Sequence, residues 1–325
     1  MCALFGWIDY KGIVGNKVLQ KLTQALATDS EERGTDAAGI AYVKGKKLTV
    51  YKRPKAAHKL NFKIPEGTHC IMGHTRFATQ GKKEDNFNNH PFLGFANVPF
   101  ALAHNGCIWN DELLRKVENL PYTNIKTDSY IAVQLLEHLH NLDEKSIIEM
   151  SERVRGTFNF TILDENNILY IIKGNNPMVI LHFETLGLYI YASTKTIIDK
   201  ALKNLVLRKF SNEVVKIDEG EILRISRKGK ITRSTFTMTY DYADFYGYGH
   251  DENLSLYEEE LNDVYFYADY MGVSEATIDE LYDYGYTTDD IYDLIFDKES
   301  LEQVLHYIRG EEYDTERLQG DYMLY

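Results

Sequence analysis

The chain has 325 residues, 44% of them hydrophobic, enough for one large domain with its own core plus a smaller one, and too apolar for a disordered chain. A formal net charge of −13 conceals an asymmetry: residues 241–325 carry 24 Asp and Glu against 3 Lys and Arg, about −21, which leaves residues 1–240 near +8. The late stretch also holds 15 of the 24 tyrosines, so a domain boundary is expected between about 236 and 255.

The three cysteines, Cys2, Cys70 and Cys107, form no CxxC or Cys/His spacing, which argues against a disulfide framework and a structural zinc. No metal or cofactor is expected. The start MCALFGWIDYKG has no basic region followed by an apolar run, and nothing approaches the roughly 18 apolar residues needed to span a bilayer. A soluble, cytoplasmic protein is expected, with neither a membrane nor a nucleic acid as a partner, because the acidic module would repel an anionic ligand.

In chain order, ALFGWIDY reads as a short buried strand, and KVLQKLTQALATDSEERG as a helix with apolar residues at helical spacing. AGIAYVKGKKLTVYKR predicts two strands around a KGKK turn. THCIMGHTRFA and PFALAHNGCIW predict buried strands, with TQGKKEDNFNNHPFLG between them as a loop. Residues 111–120 predict a short helix, and Thr127 is the expected cap of a second, SYIAVQLLEHLH. Two hairpins follow, TFNFTILDENNILYIIKGN and MVILHFETLGLYIYAS, then a helix over 193–205 and two or three strands in EVVKIDEGEILRISRKGKITRST. Strands and helices come in blocks without βαβ alternation, which suggests two packed sheets with helices outside. From about 255 onward the pattern is helical, and the tyrosines at helical spacing read as core and interface residues of a small bundle.

Five short stretches carry chemical potential. Removal of Met1 would leave Cys2 with a thiol and a free α-amine, a nucleophile supplied with its own base, although an ordinary second residue is the plainer reading. ERGTDAAGIA is a charged turn entering a strand. In GHTRFATQG, Arg76 ends an apolar run, where an enclosed guanidinium needs an anionic partner, either a ligand carboxylate or an internal salt bridge. In AHNGCIW the Asn105 amide and the Gly106 N–H are two donors able to converge on one oxygen, or simply a turn. In KTDSY, Asp128 is either a capping carboxylate or a holder of an α-ammonium group.

Taken together and in order, Cys2, RGTDAAG, GHTRFAT, HNG and TD resemble the glutaminase domain of the class II glutamine amidotransferases, members of the N-terminal nucleophile hydrolase superfamily. The resemblance continues through NHPF, RGTFNFTILD, GNNPMVI, YASTK and IDEGEILRIS, covering about residues 2–230. It implies an α+β fold, a four-layer αββα sandwich over residues 2–240, followed by a small acidic helical domain over 255–325. It also implies Cys2 as nucleophile, Asn105 and Gly106 as oxyanion hole, Arg33 orienting the site, and Arg76 and Asp128 holding the two charges of free L-glutamine. Thr79, Phe77 and Gln80 would complete the substrate pocket. The chain departs from the family in Ala3, where glycine is usual, Phe77, where tryptophan is usual, and Gln80, where histidine is usual in the aminotransferase branch.

The activity so implied is hydrolysis of glutamine through a Cys2 thioester, with ammonia passed to an acceptor on a separate protein that docks on the acidic module. Two other readings share the fold: a glutamine-binding scaffold or sensor, and an acylase acting on another amide.

Overall fold

The computed structural model describes residues 2–78, 80–238, 264–265, 268, 272–296 and 298–310, in two units that divide the chain at residue 240. In the first unit the strands are β1 Ala3–Asp9, β2 Ala37–Lys44, β3 Lys47–Arg53, β4 Cys70–Arg76, β5 Phe92–Phe95, β6 Pro99–Ile108, β7 Gly156–Asp164, β8 Leu169–Lys173, β9 Val179–Phe183, β10 Leu188–Ala192, β11 Glu213–Val214, β12 Glu221–Ile225 and β13 Ile231–Thr235. They form two antiparallel sheets, of order β11-β9-β10-β1-β4-β2-β3 and β13-β12-β8-β7-β6-β5. The helices of this unit are α1 Asn16–Asp29, α2 Asp111–Val117, α3 Tyr130–His138, α4 Glu144–Arg153 and α5 Lys195–Leu202.

Side-chain alternation along the strands builds the layers. In β1, Phe5 and Trp7 turn outward to pack with Leu19, Leu22 and Leu26 of α1 and with Ile197 and Ile198 of α5. Leu4 and Ile8, on the opposite face, meet Ala101, Ala103, Leu163 and Ile171 of the second sheet. The outer face of that sheet, with Phe158 and Phe160, is covered by Leu114 of α2, Ile131 and Leu135 of α3 and Ile147 of α4. The result is the expected αββα sandwich with three apolar interfaces. β1 is buried along its whole length, which is why its sequence is an unbroken apolar run.

Three local expectations need correction. The loop before β6 contains β5, which pairs Phe92 with Leu102 at the sheet edge. The helix α4 went unread, although its cap is visible in the sequence: Asp143 accepts from the Ser146 N–H at 2.9 Å. Thr127 does not cap α3 with its side chain; its buried hydroxyl has no partner among the described residues, and its carbonyl accepts from Tyr130 N–H instead. The helix starts at Tyr130 with Ser129 at the cap position, two residues after Thr127, and the Asp128 and Ser129 side chains bond to β6.

The described part of the second unit holds α6 Glu275–Tyr284, α7 Thr288–Phe296 and α8 Lys298–Arg309. Ser274 caps α6 and Gly285, at φ +105°, ends it. Ile278, Leu281, Ile291, Ile295 and Leu301 form its core, with Tyr282 and Tyr286 packed against it, while Tyr284 and Tyr307 are exposed. The predicted helix LYEEELNDVYFYADYMG lies mostly outside the described residues. No helix among the described residues is long and apolar enough to cross a membrane.

One polar anchor crosses the helix–sheet interface: Trp7 Nε1 donates to Thr23 Oγ1 at 2.7 Å, both groups fully buried. Thr23→Val keeps the shape but orphans the indole N–H, and is expected to lower the unfolding free energy by about 1–3 kcal/mol in chemical denaturation. An unchanged midpoint would contradict this.

Near the Cys2 end of β1 the space between the sheets turns polar. His74 of β4 crosses it, its Nε2–H donating to the His104 carbonyl of β6 at 2.9 Å, and the His90 ring packs on His74, tilted by 36°, with centroids 4.1 Å apart. Burial pushes His74 down to about 3, depresses His104, and holds His90 well below its usual range with help from the neighbouring His74. Burial thus disfavours the charged form of all three in the folded protein, while their unfolded counterparts titrate near 6.5. As pH falls below about 6.5 the unfolded chain takes up protons that the folded chain refuses, so stability is lost from about 6.5 down toward about 3. Lowering pH from 7.5 to 5.5 should remove about 1 kcal/mol from the unfolding free energy on account of His74, with His90 and His104 acting in the same direction. A His74 resonance titrating near 6.5 in the folded protein would overturn this.

Candidate active site

The pairing of β1 with β4 brings the first candidates together. Ala3 pairs with Thr75, so Cys2 lies next in register beside Arg76 at the end of β4. The Cys2 thiol lies 3.5 Å from the Phe77 carbonyl, and the Cys2 carbonyl accepts from Arg33 Nε at 2.8 Å. Arg33 follows a short turn after α1, and Gly34 lets that turn pass against β4: a Cβ there would stand 2.5 Å from the Arg76 carbonyl carbon. A cleft of about 450 Å³ opens between residues 31–35 and Phe77, on the two residues that touch Cys2. Phe77 is half exposed beside it.

Arg76 is buried and, among the described residues, has no carboxylate partner. Its guanidinium donates instead to neutral oxygens: Asn89 Oδ1 at 2.7 Å, the Gly81 carbonyl at 2.9 Å and the Gln80 carbonyl. The internal salt bridge offered by the sequence as one alternative is thus not what holds it. A second cation adjoins the first. Lys52 Nζ donates to the Asn89 carbonyl and lies 4.8 Å from the Phe92 ring centroid, and burial, then the charge of Arg76, push it down to about 8. Asn89 therefore positions both cations, one through its side chain and one through its backbone. The NHPF motif was visible in the sequence, but nothing in it assigned this work to Asn89, and nothing pointed to Lys52.

Asp128, also buried, accepts from the Ile108 N–H of β6 through Oδ2 at 2.7 Å, and its Oδ1 lies 3.2 Å from the Ser129 hydroxyl. Its backbone N–H donates to Gln80 Oε1 at 3.2 Å, so Gln80 bridges Arg76 and Asp128. Ser129 in turn is 2.8 Å from His104 Nδ1. Thr79 lies outside the described residues.

The Cys2 thiol feels both charges: Arg76 favours the thiolate and Asp128 opposes it. Burial outweighs the other influences, including the Phe77 carbonyl contact, and raises the thiol above its usual range. A raised thiol needs a base to take its proton before it can attack.

Asn105 and Gly106 lie on β6, whose edge beyond β5 is left free of a strand on one side. Asn105 is 1% exposed, yet its Nδ2 has no hydrogen-bond partner among the described residues. Leaving a buried donor unpaired costs about 1–3 kcal/mol, so such an orphan calls for an acceptor brought by a ligand. Gly106 has φ +146°, and a Cβ there would meet the Thr157 carbonyl oxygen at 1.8 Å, so no other residue fits.

No protein-family model matches the chain. It is 30% identical over 194 residues to glutamine–fructose-6-phosphate aminotransferase (isomerizing) of Staphylococcus aureus, covering 55% of this chain and 30% of that protein. The corresponding enzyme of Streptococcus agalactiae is 33% identical over 180 residues, covering 52% and 29%. The chain thus spans under a third of the length of these curated relatives. Among solved structures, the glutamine phosphoribosylpyrophosphate amidotransferase of B. subtilis, complexed with ADP and GMP, superposes with a TM-score of 0.59 at 22% identity, covering 74% of this chain and 50% of that one. Over about half of its length the chain is thus a homologue of these glutamine-dependent aminotransferases, and its fold is shared with that of the amidotransferase.

Proposed function

We propose that the first unit hydrolyses the side-chain amide of L-glutamine, with Cys2 as nucleophile. The observation that carries this reading is the buried, unpartnered Asn105 amide in a chain that also sets a cysteine beside a buried arginine lacking a carboxylate. The glutamine α-carboxylate supplies the anion that Arg76 lacks, and Asp128 takes the α-ammonium. Because both ends of the free amino acid are used, a peptide-bound glutamine, which presents neither charge, is refused. Gln80 ties the two charged residues together, and Phe77 flanks the pocket.

The chemistry then follows from the groups present. Once Met1 is removed, the α-amine of Cys2 accepts the proton of the raised thiol. The thiolate attacks the amide carbon, and the oxygen that becomes negative is met by Asn105 Nδ2 and the Gly106 N–H, donors held ready before the charge develops. The proton returns to the departing nitrogen, ammonia leaves, and water cleaves the γ-glutamyl thioester to glutamate. Arg33, bonded to the Cys2 carbonyl, keeps the nucleophile in place.

We further propose that the ammonia is consumed by an acceptor on a separate protein. Residues 241–325, with a charge of about −21, would steer that protein through a complementary basic surface.

The test is glutamate release by protein whose intact mass shows loss of Met1. Cys2→Ala should abolish it, Asn105→Ala should lower kcat about 10²- to 10³-fold, and Arg76→Met should act mainly on KM. Glutamine that binds without turnover, at a Cys2 whose amine is free, would replace this reading with that of a sensor.

A further inference from the structure

The Asn105–Gly106 peptide is held from behind by a residue with no part in the chemistry. Asn176, in the connection between β8 and β9, donates from Nδ2 to the Asn105 carbonyl at 3.0 Å. The connection is itself pinned to β7. Asn159, fully buried and paired directly with Asn105 across the β6–β7 ladder, donates from Nδ2 to the carbonyls of Asn176 at 2.8 Å and Pro177 at 3.1 Å. Its Oδ1 accepts from the Gly174 N–H at 2.9 Å. Both ends of the Asn159 amide are thus committed to the shape of residues 174–177.

The consequence is geometric. The only cis peptide among the described residues is His90–Pro91, so the Asn105–Gly106 peptide is trans and planar, and its N–H points opposite to its C=O. Fixing the carbonyl on Asn176 therefore fixes the direction of the Gly106 N–H. Glycine has no side chain to restrict its own φ, and the positive φ that Gly106 adopts leaves this plane dependent on an outside hold. The same plane carries the Cα from which the orphaned Asn105 amide projects.

We infer that Asn176 is a positioning residue for the oxyanion donors, with Asn159 as its anchor. This rests on the proposed role of Asn105 and Gly106. It predicts an effect on the chemical step and not on glutamine capture, because Arg76 and Asp128 make no bond to residues 174–177.

The experiment compares Asn176→Ala and Asn176→Asp, the second nearly the same shape but without the donor, against the unsubstituted protein. Expected is a fall in kcat for glutamine of about 10-fold, less than for loss of an oxyanion donor itself, with KM within about 2-fold and an unchanged rate of Cys2 alkylation by iodoacetamide. Unchanged kcat in both variants, or a loss expressed only in KM, would overturn the inference while leaving the glutaminase reading intact. Should the unsubstituted protein hydrolyse no glutamine, that reading fails, and the crystal structures of the variants decide the inference alone. A rotated Asn105–Gly106 peptide supports it and an unmoved one refutes it. Asn176→Asp, close in volume, serves if Asn176→Ala does not fold.

Discussion

The antiparallel pairing of β1 with β4 is the constraint on which the site depends. β1 is the fourth of seven strands and buried on both faces, so any slip of one residue would expose its apolar set to the wrong layer. With the register fixed at Ala3 to Thr75, the residue before the strand arrives beside the residue after Thr75, and a cysteine meets an arginine. Cys2 is thereby held next to a strand that is buried along its whole length.

A second theme is that the site's charges are held by neutral partners. Arg76 and Lys52 are surrounded by carbonyl and amide oxygens, and Asp128 by a backbone N–H and a hydroxyl. Dipoles of this kind offset the cost of burial without cancelling the charge. A zwitterionic ligand can then complete what a salt bridge within the protein would have used up. Arg76 and Asp128 are linked through Gln80 and not to each other, which keeps them apart.

Much of this was legible in the sequence, for identifiable reasons. The apolar run ALFGWI and the strand-ending motifs GHTR and HNG report local events, since each depends on residues adjacent in the chain. The start of α4 was legible too, in the Asp143 cap followed by Ile147, Met150 and Val154 at helical spacing. Residues that act at a distance were not. Asn89 reaches Arg76 across 13 positions, and Asn176 reaches the Asn105 carbonyl across 71; an asparagine beside a proline reads only as a turn. Lys52 looks like any strand lysine until the fold buries its stem against Phe92. The Thr127 cap misled because a Thr-Asp-Ser stretch before an apolar run is a sound helix start, whereas the helix begins with Ser129 at the cap position.

The proposed attack of Cys2 on a free amino acid of glutamine's shape is open to one decisive measurement, intact-mass detection of the adduct formed with a glutamine analogue whose amide is replaced by a diazoketone, on protein lacking Met1. One adduct is expected, on Cys2, slowed by L-glutamine and not by a peptide ending in amidated glutamine. No adduct, or one on Cys107 indifferent to L-glutamine, would contradict it.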